Sequence, residues 1–169
     1  MAMAGPYIVR PLAPERVAQA FPLVMVLDPG LTLDRWSRFA AAFVRALDSP
    51  EPREIITVQN EQGYIHGLAS CRLRRDLRHD RVLEVENFVS LDLTGHKCAA
   101  RALLEGMEEL ARDWNCSHIC LSLLNPRLRD YLHDARRPAG DLFDCAGYRE
   151  EPFRLGKDLP APGRLPRIA

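Results

Sequence analysis

The chain has 169 residues, 47% hydrophobic and 27% charged, with 23 basic and 23 acidic side chains and a formal net charge of zero. That length and balance fit a soluble globular protein of one domain, 1–169, whose core needs no covalent staples. They give no global pull toward nucleic acid or an anionic membrane, and five scattered cysteines, an odd number, argue against a disulfide framework.

The opening "MAMAGPYIVRPLAPER" has prolines and no apolar run of signal-peptide length, and no segment approaches the roughly 20 apolar residues of a membrane span. A cytoplasmic location is the expectation. Residues 7–13, "YIVRPLA", read as a short strand ending near Pro11. "PERVAQAFPLVMVL" (14–27) is helix-like, with Pro22 as a kink or break, and "DPG" (28–30) is a turn. In 31–47, Leu33, Trp36, Phe39, Ala40, Phe43, Val44 and Leu47 recur at helical spacing and predict one apolar face.

Three strands follow. "REIITVQN" (53–60) and "YIHGLASCRL" (64–73) flank a hairpin loop, and "RVLEVENFVSLDL" (81–93) is reached through the arginine-rich "RLRRDLRHDR" (72–81), read as a solvated hairpin, with attraction of an anionic partner as the alternative. Alternation puts Leu83, Val85, Val89 and Leu91 on one face and Glu84 and Glu86 on the other. The helix in 99–114 has an apolar stripe of Ala100, Leu103, Leu104, Met107, Leu110, Ala111 and Trp114, and Asn115 is placed to close it in a left-handed conformation. "HICLSLL" (118–124) reads as a buried strand parallel to 81–93, giving a βαβ unit. A shorter helix in 126–138, a helical turn and final strand within 141–159, and a loose proline-rich tail, 160–169, complete the chain.

The junction "LDLTGHKCAARALLEG" (91–106) joins the end of a strand to the start of a helix. Unpaired N–H groups and the positive end of the helix dipole meet there, the usual basis of a phosphate site. Gly95 permits close approach, and Lys97 and Arg101 add charge. The segment is neither a P-loop nor a dinucleotide fingerprint, which need further glycines at fixed spacing. A plain structural turn is the competing reading.

The order of elements over about 7–159 resembles the GNAT superfamily of acyl-CoA N-acyltransferases. "VENFVSLDLTGHKCAARALLEGMEELARDWNCSHICLSL" is similar to that family's central motif. Aligned on Leu103-Leu104, Gly95 takes the Gln/Arg position of Gln/Arg-x-x-Gly-x-Gly/Ala, Cys98 the first glycine and Ala100 the permitted alanine. Glu86-Asn87 matches the acidic pair of the family's "I-E-D-L-V-V" strand, and Gly67 its hairpin glycine. Gly147-Tyr148 matches Gly-Phe in its closing segment. The resemblance implies an α/β fold of α+β type: a mixed, mostly antiparallel sheet with a central βαβ unit and helices on both faces.

It also implies transfer of an acetyl or other acyl group from acetyl-CoA to a primary amine of a small molecule or peptide, by direct attack. The pyrophosphate would lie on the amides of Gly95, His96, Lys97, Cys98, Ala99 and Ala100, beside Arg101. The pantetheine would run along Val89, Ser90 and Leu91, with the oxyanion donor near Val89. Asn125 takes a cofactor-contacting position; it is equally a helix N-cap before Pro126. Glu86 is the candidate base and Glu84 its understudy, against the alternative of solvated carboxylates. The family's acid-donating tyrosine falls on Phe143, which has no proton to give, so Tyr131 and Tyr148 are the candidates, with ordinary packing as the alternative. Family habit makes a homodimer an expectation.

Two further readings are weaker. Cys98 at a helix start can be a reactive thiol or a small replacement for glycine. "CSHIC" (116–120) does not read as a zinc site, since a strand separates its cysteines by about 13 Å; no metal is expected. The alternative function is a GNAT-fold acyl-CoA-binding sensor or interaction module, favoured by Cys98 and Phe143. A further alternative is an α/β domain with no cofactor.

Overall fold

The computed structural model describes residues 7–44, 49–91, 98–123 and 142–149. These form β1 (Ile8–Pro11), a 3-10 turn (Pro14–Arg16), α1 (Val17–Leu27), α2 (Leu33–Val44), β2 (Arg53–Gln59), β3 (Ile65–Asp76) and β4 (Asp80–Ser90). After them come α3 (Cys98–Asp113), β5 (His118–Leu121) and a short α4 (Leu142–Cys145). The sheet order is β1-β2-β3-β4-β5; the first four strands are antiparallel and β5 is parallel to β4. This is the mixed sheet with a βαβ unit expected from the sequence. Leu47, the 126–138 helix, the final strand and the tail lie outside the described residues.

α3 packs across β1 to β5, while α1 and α2 pack together on β2 to β4. The core joins Trp36, Leu68, Leu83, Phe88, Leu103, Leu104 and Met107, each fully or almost fully buried. Trp36 Nε1 donates to the Val17 carbonyl at 2.7 Å and ties α2 to the start of α1. α1 continues through Pro22, which has no N–H to offer the Ala18 carbonyl. Thr32 Oγ1 caps α2 by accepting the Arg35 N–H at 3.2 Å. Two residues of its expected apolar stripe, Leu33 and Phe39, stay exposed, Phe39 packing along the helix on Trp36 and Phe43.

α3 ends as its sequence predicts. Asn115 has φ 52°, the Cys116 N–H reaches the Ala111 carbonyl at 2.8 Å and the Asn115 N–H the Arg112 carbonyl at 3.0 Å, the Schellman pattern. Arg81 then fastens this end to the sheet, its Nε and Nη2 donating to the Trp114 carbonyl at 3.0 and 2.6 Å.

The expected alternation of β4 fails at one place. Ser70 opposes Glu86 but Leu68 opposes Val89, so β4 carries one residue more than β3 there. Asn87, within this bulge, has φ 55°. Beyond the extra residue the faces exchange. Val89 therefore shares a face with Glu84 and Glu86, not with Leu83 and Val85. Leu91, expected inward, is exposed.

Gly106 brings α3 onto β1: a Cβ there would stand 2.6 Å from Val9 Cγ1. Gly106→Ala should lower stability by about 1 kcal/mol, overpacking outweighing the gain in helix propensity. Thermal unfolding of Gly106→Ala, Val9→Ala and the double variant checks this: the double variant should lose less than the sum of the singles, and strict additivity would refute the contact.

Candidate functional site

The site begins with the edge that β4 offers. β5 pairs with β4 from Val82↔His118 to Val85↔Leu121, and the last bond is the Ser122 N–H to the Val85 carbonyl at 2.9 Å. β4 runs on to Ser90, paired with β3 on its other side. Residues 86–90 therefore present an edge that no described residue of β5 takes up. The bulge lies at its start.

A buried serine holds the bulge. Ser70, 3% exposed, donates its Oγ proton to the Glu86 carbonyl at 2.9 Å and accepts the Asn87 Nδ2–H at 2.9 Å. The amide of Asn87 thus stabilises its own left-handed backbone through the neighbouring strand. Sequence reading aligned Asn87 only with an acidic residue and passed over Ser70. Asparagine's tolerance of positive φ was the one available signal.

Alternation then decides which backbone groups face the open edge. The Leu91 N–H is taken by the His66 carbonyl at 2.7 Å. In antiparallel pairing the bonded residues alternate, so Val89 also turns its N–H and C=O to β3, while Ser90 turns its own outward. Of the expected pantetheine contacts, Ser90 has a free-facing backbone and Leu91 has a committed N–H. Near Val89, where the oxyanion donor is expected, the outward-facing backbone groups lie between the bulge and Ser90.

Glu86 is on the strand face that carries Ser70, with 37% of its side chain exposed, and its Oε1 stands 3.5 Å from Arg72 Nη2. Glu84, the understudy, is neither solvated nor accessible. It is 2% exposed, accepts from Arg72 Nε at 2.7 Å and lies 3.5 Å from Arg74 Nε. Burying a carboxylate requires such partners, which commits Glu84 to structure. Arg72 bridges the two carboxylates and leaves Glu86 as the accessible one.

α3 starts at Cys98, which is half-buried, with Ala99 and Ala100 fully buried behind it and Arg101 exposed. The 16-residue helix points its N-terminus from this position. Gly95, His96, Lys97, Asn125 and Tyr131 lie outside the described residues. Phe143, 4% exposed, packs edge-on against Phe88 of the bulge at 5.8 Å between ring centroids. Tyr148 stands behind it, 5.9 Å from the Phe143 ring. Its hydroxyl is buried with no hydrogen-bond partner among the described residues. Burial first, then the nearby Glu108 and Cys71, push its phenol well above the usual range. Tyr148 keeps its proton but reaches the bulge only through Phe143. Burial likewise raises the Cys71 thiol and makes it inert.

The same polar face continues away from the bulge. Arg72, Glu84 and Cys120 share a row, then Arg74, Val82 and His118, toward the β3–β4 turn. There Asp76 Oδ1 accepts the Arg78 and His79 N–H groups at 2.7 and 3.1 Å. Those two bonds, with Arg74 a lesser cause, hold its carboxyl below the usual carboxylate value. Among the described residues no group of three or more His, Cys, Asp or Glu is placed to hold a metal ion, and no helix is long and apolar enough to cross a membrane.

Removing the serine hydroxyl should loosen the bulge. Ser70→Ala is expected to cost about 1–2 kcal/mol for the two buried hydrogen bonds, seen as a fall in Tm of several degrees. An unchanged Tm would mean that Ser70 does not hold the strand.

No family model and no curated protein matches the sequence. Solved structures do. Glucosamine-6-phosphate N-acetyltransferase from Arabidopsis thaliana superposes with a TM-score of 0.66 at 13% identity, over 92% of this chain and 99% of that one. The aminoglycoside N-acetyltransferase AAC(6')-Iy in complex with CoA gives 0.72 at 12% identity, over 95% and 99%. A GNAT family acetyltransferase of Staphylococcus aureus gives 0.66 at 16% identity, over 90% and 98%. With the mixed sheet, the βαβ unit and the bulged β4 strand already in place, these superpositions show that the chain has the fold of GNAT acetyltransferases.

Proposed function

We propose that the protein is an acyl-CoA-dependent N-acyltransferase, with acetyl-CoA as the acyl donor and a primary amine of a small molecule or peptide as acceptor. The observation that carries this reading is the edge of β4 at residues 86–90, which begins at a bulge and is taken up by no described residue of β5, with α3 following in sequence. An extended, amide-bearing chain such as pantetheine can pair with that edge as a strand would. The amides at the start of α3, with Gly95, His96, Lys97, Cys98, Ala99, Ala100 and Arg101, would receive the pyrophosphate. The fold neighbours support the donor class, one of them being a complex with CoA.

In this reading the chain's residues divide the work by position. Outward backbone N–H groups between Asn87 and Ser90 donate to the thioester oxygen as charge develops on it. Glu86, the exposed carboxylate beside the bulge, removes the proton from the attacking amine, directly or through water. Arg72 positions that carboxylate. Tyr148 is separated from the bulge by Phe143, and Tyr131 is retained as the other candidate for protonating the departing thiolate. Asn125 remains a proposed cofactor contact, and a homodimer of cytoplasmic location remains the proposed working form.

A binding protein without catalysis is the second reading. The observation favouring it is Phe143, buried against the bulge at the place where the family carries its tyrosine.

Acetyl-CoA at one hundred times its Kd should stabilise the fold by about 2.7 kcal/mol, a Tm rise of roughly 5–10 °C. No stabilisation at millimolar acetyl-CoA would remove both acyl-CoA readings. If an amine panel with thiol-release detection finds turnover, Glu86→Gln should lower kcat about 10²-fold with acetyl-CoA affinity retained. Equal turnover in that variant would take the base role from Glu86.

A further inference from the structure

A cleft of ≈ 380 Å³ lies at the far end of the polar face, between the β3–β4 turn and the start of β5. It is lined by Arg74, Asp76, Arg78, His79, Glu84 and His118, among others. It is within the range of about 300–1,000 Å³ typical of small-molecule sites. Its lining residue on β4, Glu84, is two residues from Glu86, about 7 Å along a strand. The cleft shares no lining residue with the edge at 86–90 assigned to acyl transfer.

Counting acceptors against donors gives its character. Both carboxylates are already committed. Asp76 accepts two backbone N–H groups on Oδ1 and Arg74 Nη1 on Oδ2 at 3.2 Å. Glu84 accepts Arg72 Nε at 2.7 Å. The donors are not used up. A guanidinium has five N–H groups. Arg74 forms one hydrogen bond, to Asp76, and its buried Nε–H lacks an acceptor among the described residues, Glu84 Oε1 at 3.5 Å being an ion pair without a hydrogen bond. The exposed Arg78 side chain forms no hydrogen bond or ion pair with the described residues, only its backbone N–H being engaged. The His79 and His118 rings stack at 4.2 Å between centroids and 8° between planes, forming a flat wall beside the arginines. Ser117 Oγ donates to the His79 carbonyl at 2.6 Å and holds the turn against β5, so the wall is preorganised.

We infer that this cleft is a binding site for an anionic group, a phosphate or carboxylate of a small ligand, held by Arg74 and Arg78 against the His79–His118 wall. Oxygen acceptors supply what the surplus donors lack, and charge-assisted bonds to guanidinium are among the stronger ones available. The inference does not rest on acyl transfer, since anion binding is measured without acetyl-CoA.

Inorganic phosphate is the probe, titrated into the full chain at constant ionic strength and followed by amide chemical shifts. Shifts should concentrate at residues 74–79 and 118, and Arg78→Ala should weaken phosphate at least about tenfold, the loss of one charge-assisted hydrogen bond. That side chain forms no hydrogen bond or ion pair with the described residues, so the variant is expected to keep the wild-type Tm; Arg74→Lys is the second variant and should also weaken binding. No shifts at millimolar phosphate, shifts confined to other regions, or equal affinity in Arg78→Ala would each overturn the site. Where turnover is found, phosphate competing with the amine identifies the anion as part of the acceptor, and phosphate that binds without competing identifies a separate ligand.

Discussion

At Asn87 the β4 strand holds one residue that β3 does not oppose, and the Ser70 hydroxyl keeps it there by bonding to both the Glu86 carbonyl and the Asn87 amide. Much of the site depends on this constraint. The extra residue exchanges the faces of β4, so Val89 and Glu86 lie on the same side. It also bends the strand and increases its local twist. β5, which follows β4 only to Val85, does not accompany it further among the described residues. Among the described residues an edge is left open next to the partly exposed Glu86 carboxylate, and a helix N-terminus follows in sequence. Natural sheets rarely leave an edge without a use or a cover.

The arginine pair governs how charge is distributed along the same face. Arg72 and Arg74 neutralise the buried Glu84, and Arg72 extends to Glu86. A buried carboxylate without them would be strongly destabilising. Their placement leaves one carboxylate accessible near the bulge and surplus guanidinium donors near the β3–β4 turn. One face of three strands therefore carries the accessible Glu86 carboxylate beside the bulge and a cleft near the β3–β4 turn, with the buried Glu84 ion pair adjoining both.

Much of the fold was legible because it is local. The Schellman end at Asn115 follows from one residue's tolerance of positive φ, and the α3 stripe from spacing. Ala99 and Gly106 were missed in that stripe, since small residues announce burial weakly and Gly106 matters only because Val9 lies opposite. Of the candidate site, that Glu86 is the more exposed of the two carboxylates could not be read from the sequence, because Glu84 is buried by arginine neighbours on a different strand. Leu91 was offered as a backbone contact, yet its N–H belongs to His66, a pairing that depends on register.

The sequence by itself determined the order and type of most elements, the helix ends and the resemblance to one superfamily, because periodicity, capping and turn chemistry act over a few residues. Only the tertiary structure decided which carboxylate is buried, which backbone groups of β4 face outward, and that a cleft with surplus donors forms at the hairpin end. Those outcomes depend on strand register, and a single unpaired residue at the bulge exchanges every face beyond it without leaving a trace in the hydrophobic pattern.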